Sequence, residues 1–226
     1  MKNVKMLTMI YFVITCMVFI SCDNNNNKPD DPWYDDDNTN TTEKPKPTTG
    51  TENGYSWVDL GLSVKWATCN IGAWKPEGYG NYYAWGETST KSEYTEDNYT
   101  YKSQNPTLSL IRDAAFANWG GTWRMPTYYE LYELATLCSW NWTTLNGVNG
   151  YEVKSKTNNN SIFLPAAGSY IHNDIINVGE KGKYRSSELN SNGSEFSPCI
   201  YFSEMEIKYN SGYLRYIGNS IRAVCP

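Results

Sequence analysis

Apolar and polar positions divide this chain into three regimes. Residues 6–20 are a nearly uninterrupted apolar run, and residues 23–53 are polar almost throughout, Trp33 and Tyr34 excepted. Beyond them, apolar residues recur with the periods of regular structure. Trp57, Val58 and Leu60, then Leu62, Val64 and Trp66 alternating with polar neighbours, have the period of two of half-buried strands. Leu110, Asp113, Ala114, Ala117 and Trp119 predict a first short helix, stopped by Gly120-Gly121. Leu131, Leu134, Ala135 and Cys138 fall at i, i+3, i+4 and i+7, which predicts a second helix with one stripe facing a core. Tyr151 and Val153 against Ile162 and Leu164 read as a hairpin turning at Asn158-Asn159-Asn160. Short strands are expected at 199–202, 205–209 and 220–224. The Gly- and aromatic-rich stretch 74–85 reads as a loop, and the polar, Tyr-rich stretch 88–106 as an extended surface loop. No internal repeat interrupts this order. The sum is an α+β domain, two short helices with a mostly antiparallel sheet and long loops.

The second helix has the most explicit local signal. Pro126 disfavours helix at Met125, so the chain arrives extended. Thr127 is placed to accept from the Glu130 N–H while the Glu130 carboxylate reaches back to Thr127, a capping box in which the N-cap alone stabilises by about 1 kcal/mol. Trp123 and Arg124 lie on the short arm that feeds it. Trp123, Arg124, Thr127 and Glu130 therefore read as scaffold. Arg222, inside an apolar terminal strand, needs a partner. Asp113 or Glu130 is expected to pair with Arg124 or Arg222.

The first two regimes are not part of this domain. Lys2 and Lys5 precede an apolar run of 15 residues, shorter than the roughly 20 a spanning helix needs and right for a signal-peptide core. Phe19-Ile20-Ser21-Cys22 resembles a bacterial lipobox, although Phe19 stands where Leu is commoner. That resemblance implies a signal peptide at 1–21 and acylation of Cys22 as the mature N-terminus, giving attachment to a membrane through lipid chains only. Residues 22–53, with the Asn24–Asn27 run, Asp35-Asp36-Asp37 and Lys44-Pro45-Lys46-Pro47, have too few apolar groups to offset ordering entropy and are expected to form a flexible tether. Lys28-Pro29-Asp30-Asp31 resembles the surface-export signals of Bacteroidetes lipoproteins. The expected location is the outer membrane, on its cell-surface side.

Charge follows the same division. Without Lys2 and Lys5 the chain keeps 17 basic and 24 acidic residues, and eight of the acids against three lysines lie in 23–53. The domain at 54–226 is left close to neutral with no basic stripe, which excludes an electrostatic case for nucleic acid.

Several stretches of the domain resemble one family in matching order. They are Val58-Asp59-Leu60-Gly61-Leu62-Ser63-Val64-Lys65-Trp66-Ala67-Thr68-Cys69-Asn70-Ile71-Gly72-Ala73, Gly80-Asn81-Tyr82-Tyr83-Ala84-Trp85-Gly86-Glu87-Thr88, Trp123-Arg124-Met125-Pro126-Thr127, Phe163-Leu164-Pro165-Ala166-Ala167-Gly168 and Gly218-Asn219-Ser220-Ile221-Arg222-Ala223-Val224. The family is the Fibrobacter succinogenes major paralogous domain, found in lipoproteins of gut Bacteroidetes. The resemblance covers 54–226 and implies a C-type-lectin-like fold, related to that of formylglycine-generating proteins, without implying a defined activity. One place departs from it: Tyr184-Arg185-Ser186-Ser187-Glu188 stands where the family has Tyr-Trp-Ser-Ser-Ser, with Lys181 and Lys183 adding positive charge. Either the ligand differs from that of the relatives, or an Arg185–Glu188 surface pair has drifted in.

Catalytic chemistry finds little to stand on. The one histidine, His172, lies in a polar loop context, and no nucleophile elbow, zinc-protease helix or phosphate-cradling loop occurs. No cofactor or metal is expected, with a structural calcium at Asp59, Glu87 or Asp174 left open. Cys69, Cys138, Cys199 and Cys225 make an even count in an exported domain, which allows three pairings. Cys69 with Cys138 and Cys199 with Cys225 is the expected one, and four buried free thiols are the alternative.

Binding is the class that composition favours. The domain holds 29 of the 34 aromatic residues, many of them tyrosines among Gly, Asn and Ser. That is the composition of adaptable recognition surfaces, though tyrosine on strands is also ordinary β propensity. The candidate ligand face is Tyr184, Arg185, Ser186, Asn190, Asn192, Tyr209, Asn210, Tyr213 and Tyr216. The expected function is a non-catalytic recognition domain for a glycan or a surface protein. A variable ligand-display protein diversified by a retroelement is the runner-up, and an oxidase related to formylglycine generation, which needs reactive cysteines, is third.

Overall fold

In a computed structural model the described residues are 48–190 and 195–226. The signal segment, Cys22 and most of the tether lie outside them, as does Asn192. Among the described residues, twelve strands build four small antiparallel sheets rather than one large one, accompanied by two α-helices. The described residues contain no helix long and apolar enough to cross a membrane.

The first sheet has the order β1 (Thr49–Glu52), β2 (Tyr55–Val58), β3 (Lys65–Ala67) and β12 (Val224–Cys225). It therefore joins both ends of the described chain. Thr49–Glu52, which composition places in the tether, belong to the domain because β1 pairs with β2 along its whole length. Alternation then separates two cores. Val58, Trp66 and Val224 are cross-strand neighbours on one face, and Trp57 and Ala67 are neighbours on the other. The first face packs on Leu131, Leu134, Tyr151, Val153, Tyr184, Ile200 and Phe202. The second packs on Trp85, Trp119, Trp123, Met125 and Ile221. The inner part of the sheet is covered on both faces, while Thr49 and Thr51 of β1 and Ser56 of β2 remain exposed.

α1 (Ala114–Trp119) and α2 (Tyr128–Leu137) sit beside this sheet. Leu110 to Arg112 form a separate 3-10 turn, because Asp113 interrupts the helix predicted from 110 and caps α1 instead. Its Oδ1 accepts from the N–H groups of Ala115 and Phe116, and its Oδ2 accepts from Met125 N–H at 2.8 Å. That last bond fastens the arm preceding α2. Gly120 ends α1 at φ 65°, a left-handed position. Arg124 pairs its backbone with Val224, so the arm is held against the terminal strand. The capping box at Thr127 and Glu130 is present, and Leu131 and Leu134 of the predicted stripe are buried.

α2 passes directly into β4 (Cys138–Leu145), which pairs with β5 (Val148–Ser155), which pairs with β6 (Ser161–Pro165). The β5–β6 hairpin is the one read from the sequence. Its turn is tied down by the Asn158 and Asn160 amides, both donating to Asp59 O at 2.9 and 2.7 Å. The β4–β5 hairpin turns at Asn146-Gly147, both with positive φ, the Asn-Gly signature of a two-residue turn. β7 (Ser169–Ile171) and β8 (Asp174–Ile176) form a small ribbon. β9 (Lys181–Arg185), β10 (Phe196–Ser203) and β11 (Glu206–Leu214) make the last sheet, with β10 central. Of the final strand predicted at 220–224 only Val224 is in regular structure, in β12, which adds Cys225.

Candidate functional site

The last sheet places the predicted ligand residues, and its register disperses them. Tyr184 opposes Ile200, and Arg185 opposes Cys199. Successive residues of a strand point to opposite faces. Tyr184 accordingly joins the first core at 2% exposure, stacked on Phe202 at 5.9 Å, with its hydroxyl donating to Pro165 O at 2.8 Å and accepting from Asn70 Nδ2 at 3.1 Å. Ser186 is fully buried, and its carbonyl accepts from Trp85 Nε1. Neither belongs to a ligand face.

Arg185 is 1% exposed on the opposite side of β9. It donates to Ser197 Oγ and to the carbonyls of Leu214, Arg215 and Ile217 at 3.0–3.4 Å. It makes no surface pair with Glu188. Glu188 Oε2 instead accepts from Tyr128 N–H at 2.6 Å, at the positive end of α2. Arg185 is thus an internal strut holding the 214–217 return against β9. Burial pulls its pKa down to about 10, so the guanidinium stays charged.

Next along β9, Lys183 is also buried. Its Nζ donates to Tyr213 Oη and lies 3.7 Å from that ring's centroid. Burial lowers its pKa to about 8. The β11 tyrosines part company here: Tyr213 covers Lys183, while Tyr209, 37% exposed, meets Tyr132 of α2 edge-on at 5.2 Å. Asn190 is half-buried with its N–H bonded to Phe196 O. The Asn210 side chain lies outside the described residues.

Among the described residues, Tyr216 alone of the predicted set lines the larger of two clefts, of about 280 Å³. Arg215 and Tyr99 form its floor with Leu214, and Glu96, Lys102, Gln104 and Glu195 join Tyr216 around the rim. The floor is rigidly built. Arg215 Nε donates to Tyr99 Oη at 2.9 Å, and Nη2 donates to Tyr101 O. Tyr99 Oη donates in turn to Trp85 O at 2.7 Å. The guanidinium stands 4.8 Å from the Trp85 ring and 5.3 Å from Tyr99, a cation–π cage. A second hollow of about 260 Å³ adjoins it, lined by Glu87, Thr88, Ser89, Lys91, Thr100 and Arg112.

The sequence missed most of this site because 88–106 reads as a surface loop. Tyr94 and Tyr99 are in fact buried, forming a third small core with Tyr82 and Ala84. Tyrosines at 94, 99 and 101 in an otherwise polar stretch were the available signal. His172 is exposed at the β7–β8 turn, with its backbone paired to Tyr94.

The disulfide expectation is overturned: all four domain cysteines are free thiols. Cys138 begins β4 in the first core, Cys225 lies in the second, and Cys199 of β10 is paired with Arg185 of β9. The strands expected to be neighbours, β10 and β12, belong to different sheets. Burial raises Cys138, Cys199 and Cys225 to about 11, so each stays protonated at neutral pH, unlike a reactive thiolate. Glu87 pairs with Lys91 at 2.8 Å and accepts from Thr100 N–H, while Asp59 Oδ1 accepts from Gly61 N–H. No group of three or more His, Cys, Asp or Glu side chains with metal-binding proximity occurs among the described residues.

The fold and cleft define an α+β domain with an aromatic- and cation-floored surface cleft. No protein-family model matches the chain, and none of the curated proteins or solved structures matches it.

Proposed function

We propose that the protein is a lipid-anchored recognition module of the bacterial outer membrane, displayed on the cell surface, whose C-type-lectin-like domain binds a saccharide in the larger cleft. The observation that carries this reading is the fixed floor under a polar rim. Arg215, Tyr99 and Trp85 hold one another in place before any ligand arrives, which lowers the ordering cost of binding. Tyr216 offers a ring face for stacking, and Glu96, Gln104, Lys102 and Glu195 offer acceptors and donors to hydroxyl groups. A concave site with aromatic walls and a few polar groups is the ordinary form of a small-ligand site. The sequence motifs shared with the Fibrobacter succinogenes major paralogous domain support the lectin-like assignment, and the lipobox-like segment ending in Cys22 supports the anchor.

The test is a glycan array probed with the full-length protein beside Tyr216→Ala. A saccharide bound by the wild type, and bound about tenfold more weakly by the variant at unchanged melting temperature, supports the reading; tenfold corresponds to about 1.4 kcal/mol. An array without a hit from folded protein rejects it in favour of a protein ligand. The anchor is tested separately, since Cys22→Ser is expected to move the protein from the membrane to the soluble fraction.

A further inference from the structure

Lys91 lines the smaller hollow, at the start of the stretch that carries Tyr94 and Tyr99 into the third core. Two side chains hold its amine. Nζ stands 2.8 Å from Glu87 Oε2 and donates to Asn98 Oδ1 at 2.9 Å, with a further contact to Asn98 O at 3.3 Å. The fully buried Tyr94 ring lies 5.2 Å from it. A lysine anchored by a carboxylate alone is an ion pair. A lysine set between a carboxylate and a side-chain amide is also a nucleophile beside a base and an acyl group.

The remaining contacts orient each group for that chemistry. Thr100 holds Glu87 by its other oxygen, since the Thr100 N–H and Oγ1 both donate to Oε1 at 2.8 Å. Oε2 is shut off from solvent, and among the described residues the Lys91 amine is its one polar partner. The proton within its reach is the lysine's. Asn98 Oδ1 also accepts from Thr95 N–H at 3.2 Å, while Asn98 Nδ2 donates to Glu93 O at 2.9 Å. These bonds turn the amide oxygen towards the amine. They also aim a backbone donor at the atom that becomes negative when the amide carbon is attacked. Nζ is 2.9 Å from Oδ1 and a C=O bond adds at most about 1.2 Å, so Nζ lies within roughly 4.1 Å of Asn98 Cγ. Attack needs about 3–3.5 Å, a small displacement for a lysine side chain.

We propose that Lys91 and Asn98 are joined by an intramolecular isopeptide bond, which the folded chain forms by itself with Glu87 as the base. Lys91 passes a proton to Glu87 Oε2, and the neutral amine adds to Asn98 Cγ. Thr95 N–H holds the oxygen of the addition intermediate. Glu87 then gives its proton to Nδ2 and takes one from the attacking nitrogen. The Cγ–Nδ2 bond breaks, and ammonia leaves, carrying the last proton from Glu87 away as ammonium. One amide replaces another, so no oxidation state changes and no co-reactant is consumed. The product closes a covalent loop from 91 to 98 around Tyr94, fixing the wall of the smaller hollow. This inference is independent of the saccharide reading.

The experiment is mass spectrometry of the full-length protein, purified folded, then denatured and digested with trypsin. Trypsin does not cut after an acylated lysine, nor at Lys75, which precedes Pro76. The bonded chain is expected to release residues 66–102 as one peptide, lighter than its sequence by one ammonia, with fragment ions that link 91 to 98. Lys91→Arg keeps a cation beside Glu87 but has no amine to acylate, and should give separate 66–91 and 92–102 peptides without loss of ammonia. Glu87→Gln should leave most of the chain unbonded. Separate 66–91 and 92–102 peptides of full mass from the wild type overturn the proposal. Loss of ammonia with trypsin still cutting after Lys91 overturns it as well, because that product is a succinimide at Asn98. Complete bonding in Glu87→Gln overturns the role given to the carboxylate.

Discussion

Lys183 shows what a single buried charge does to this domain. Its pKa is lowered to about 8 by burial, whereas an unfolded lysine titrates near 10.4. Between those values the unfolded chain holds the proton and the folded chain does not. Unfolding then takes up a proton, and stability rises as pH rises through that interval. Melting temperatures from pH 7.5 to 9.5 should climb for the wild type relative to Lys183→Met, which removes the titrating group but keeps most of the stem. Parallel curves for the two proteins would show that the amine is not buried. Arg222 is a second case, with no carboxylate: it donates to Asn70 Oδ1 and to the carbonyls of Ala67, Thr68 and Phe163. Arg222→Ala would leave three buried acceptors and one half-buried one without this donor and is expected to cost about 3 kcal/mol or more in urea denaturation. The sequence showed that an arginine at 222 needs partners. It did not show that they would be backbone carbonyls, because those converge from segments 59 or more residues away.

At the scale of the element, α2 was readable because its determinants lie within ten residues. Thr127 Oγ1 accepts from Glu130 N–H at 3.2 Å, and Glu130 Oε2 accepts from Thr127 N–H at 2.8 Å and from Arg124 Nη1 at 2.7 Å. Burial by itself would raise the Glu130 pKa, but the Arg124 and Thr127 hydrogen bonds outweigh it and the net shift is downward. A depressed carboxylate pKa contributes stability that is present above the unfolded value, roughly 4.3, and is lost as pH falls through the folded one. Glu130→Gln should therefore destabilise at pH 7 by about 1–2 kcal/mol, with the gap narrowing below pH 4. A constant gap from pH 7 to 3 would exclude the ionic contribution. The cysteine pairing went wrong at this same scale. Late strands adjacent in sequence looked like neighbours, yet β10 pairs with β9 and β11 while β12 crosses to β3. Thiol labelling of the folded protein is expected to modify half-buried Cys69 first, and Cys138, Cys199 and Cys225 only after unfolding.

At the scale of the whole domain, the first and last described strands close the fold within one sheet. β12 gives Val224 to the first core and Cys225 to the second, and Val224 also pairs with Arg124 of the arm before α2. Truncation after Ala223 removes only Val224, Cys225 and Pro226 but opens both cores, and should abolish cooperative unfolding by calorimetry. A truncated protein retaining one sharp transition would mean that β12 merely decorates the sheet. The paired clefts are a property of this scale as well. Their walls come from 87–112 and 195–216, segments that local reasoning treats as unrelated loops.

The sequence by itself determined the three regimes of the chain, the α+β class, the capped second helix and the β5–β6 hairpin. Each depends on periodicity, capping or turn chemistry acting over a few residues. Tertiary structure decided which tyrosines face solvent, where Arg185 points, that four thiols stay apart and that a cleft exists around Arg215. Those outcomes follow from strand register and from which distant segment covers each face. A shift of one residue in β9 would exchange Tyr184 and Arg185 between the two faces of the strand, and local pattern does not specify that register.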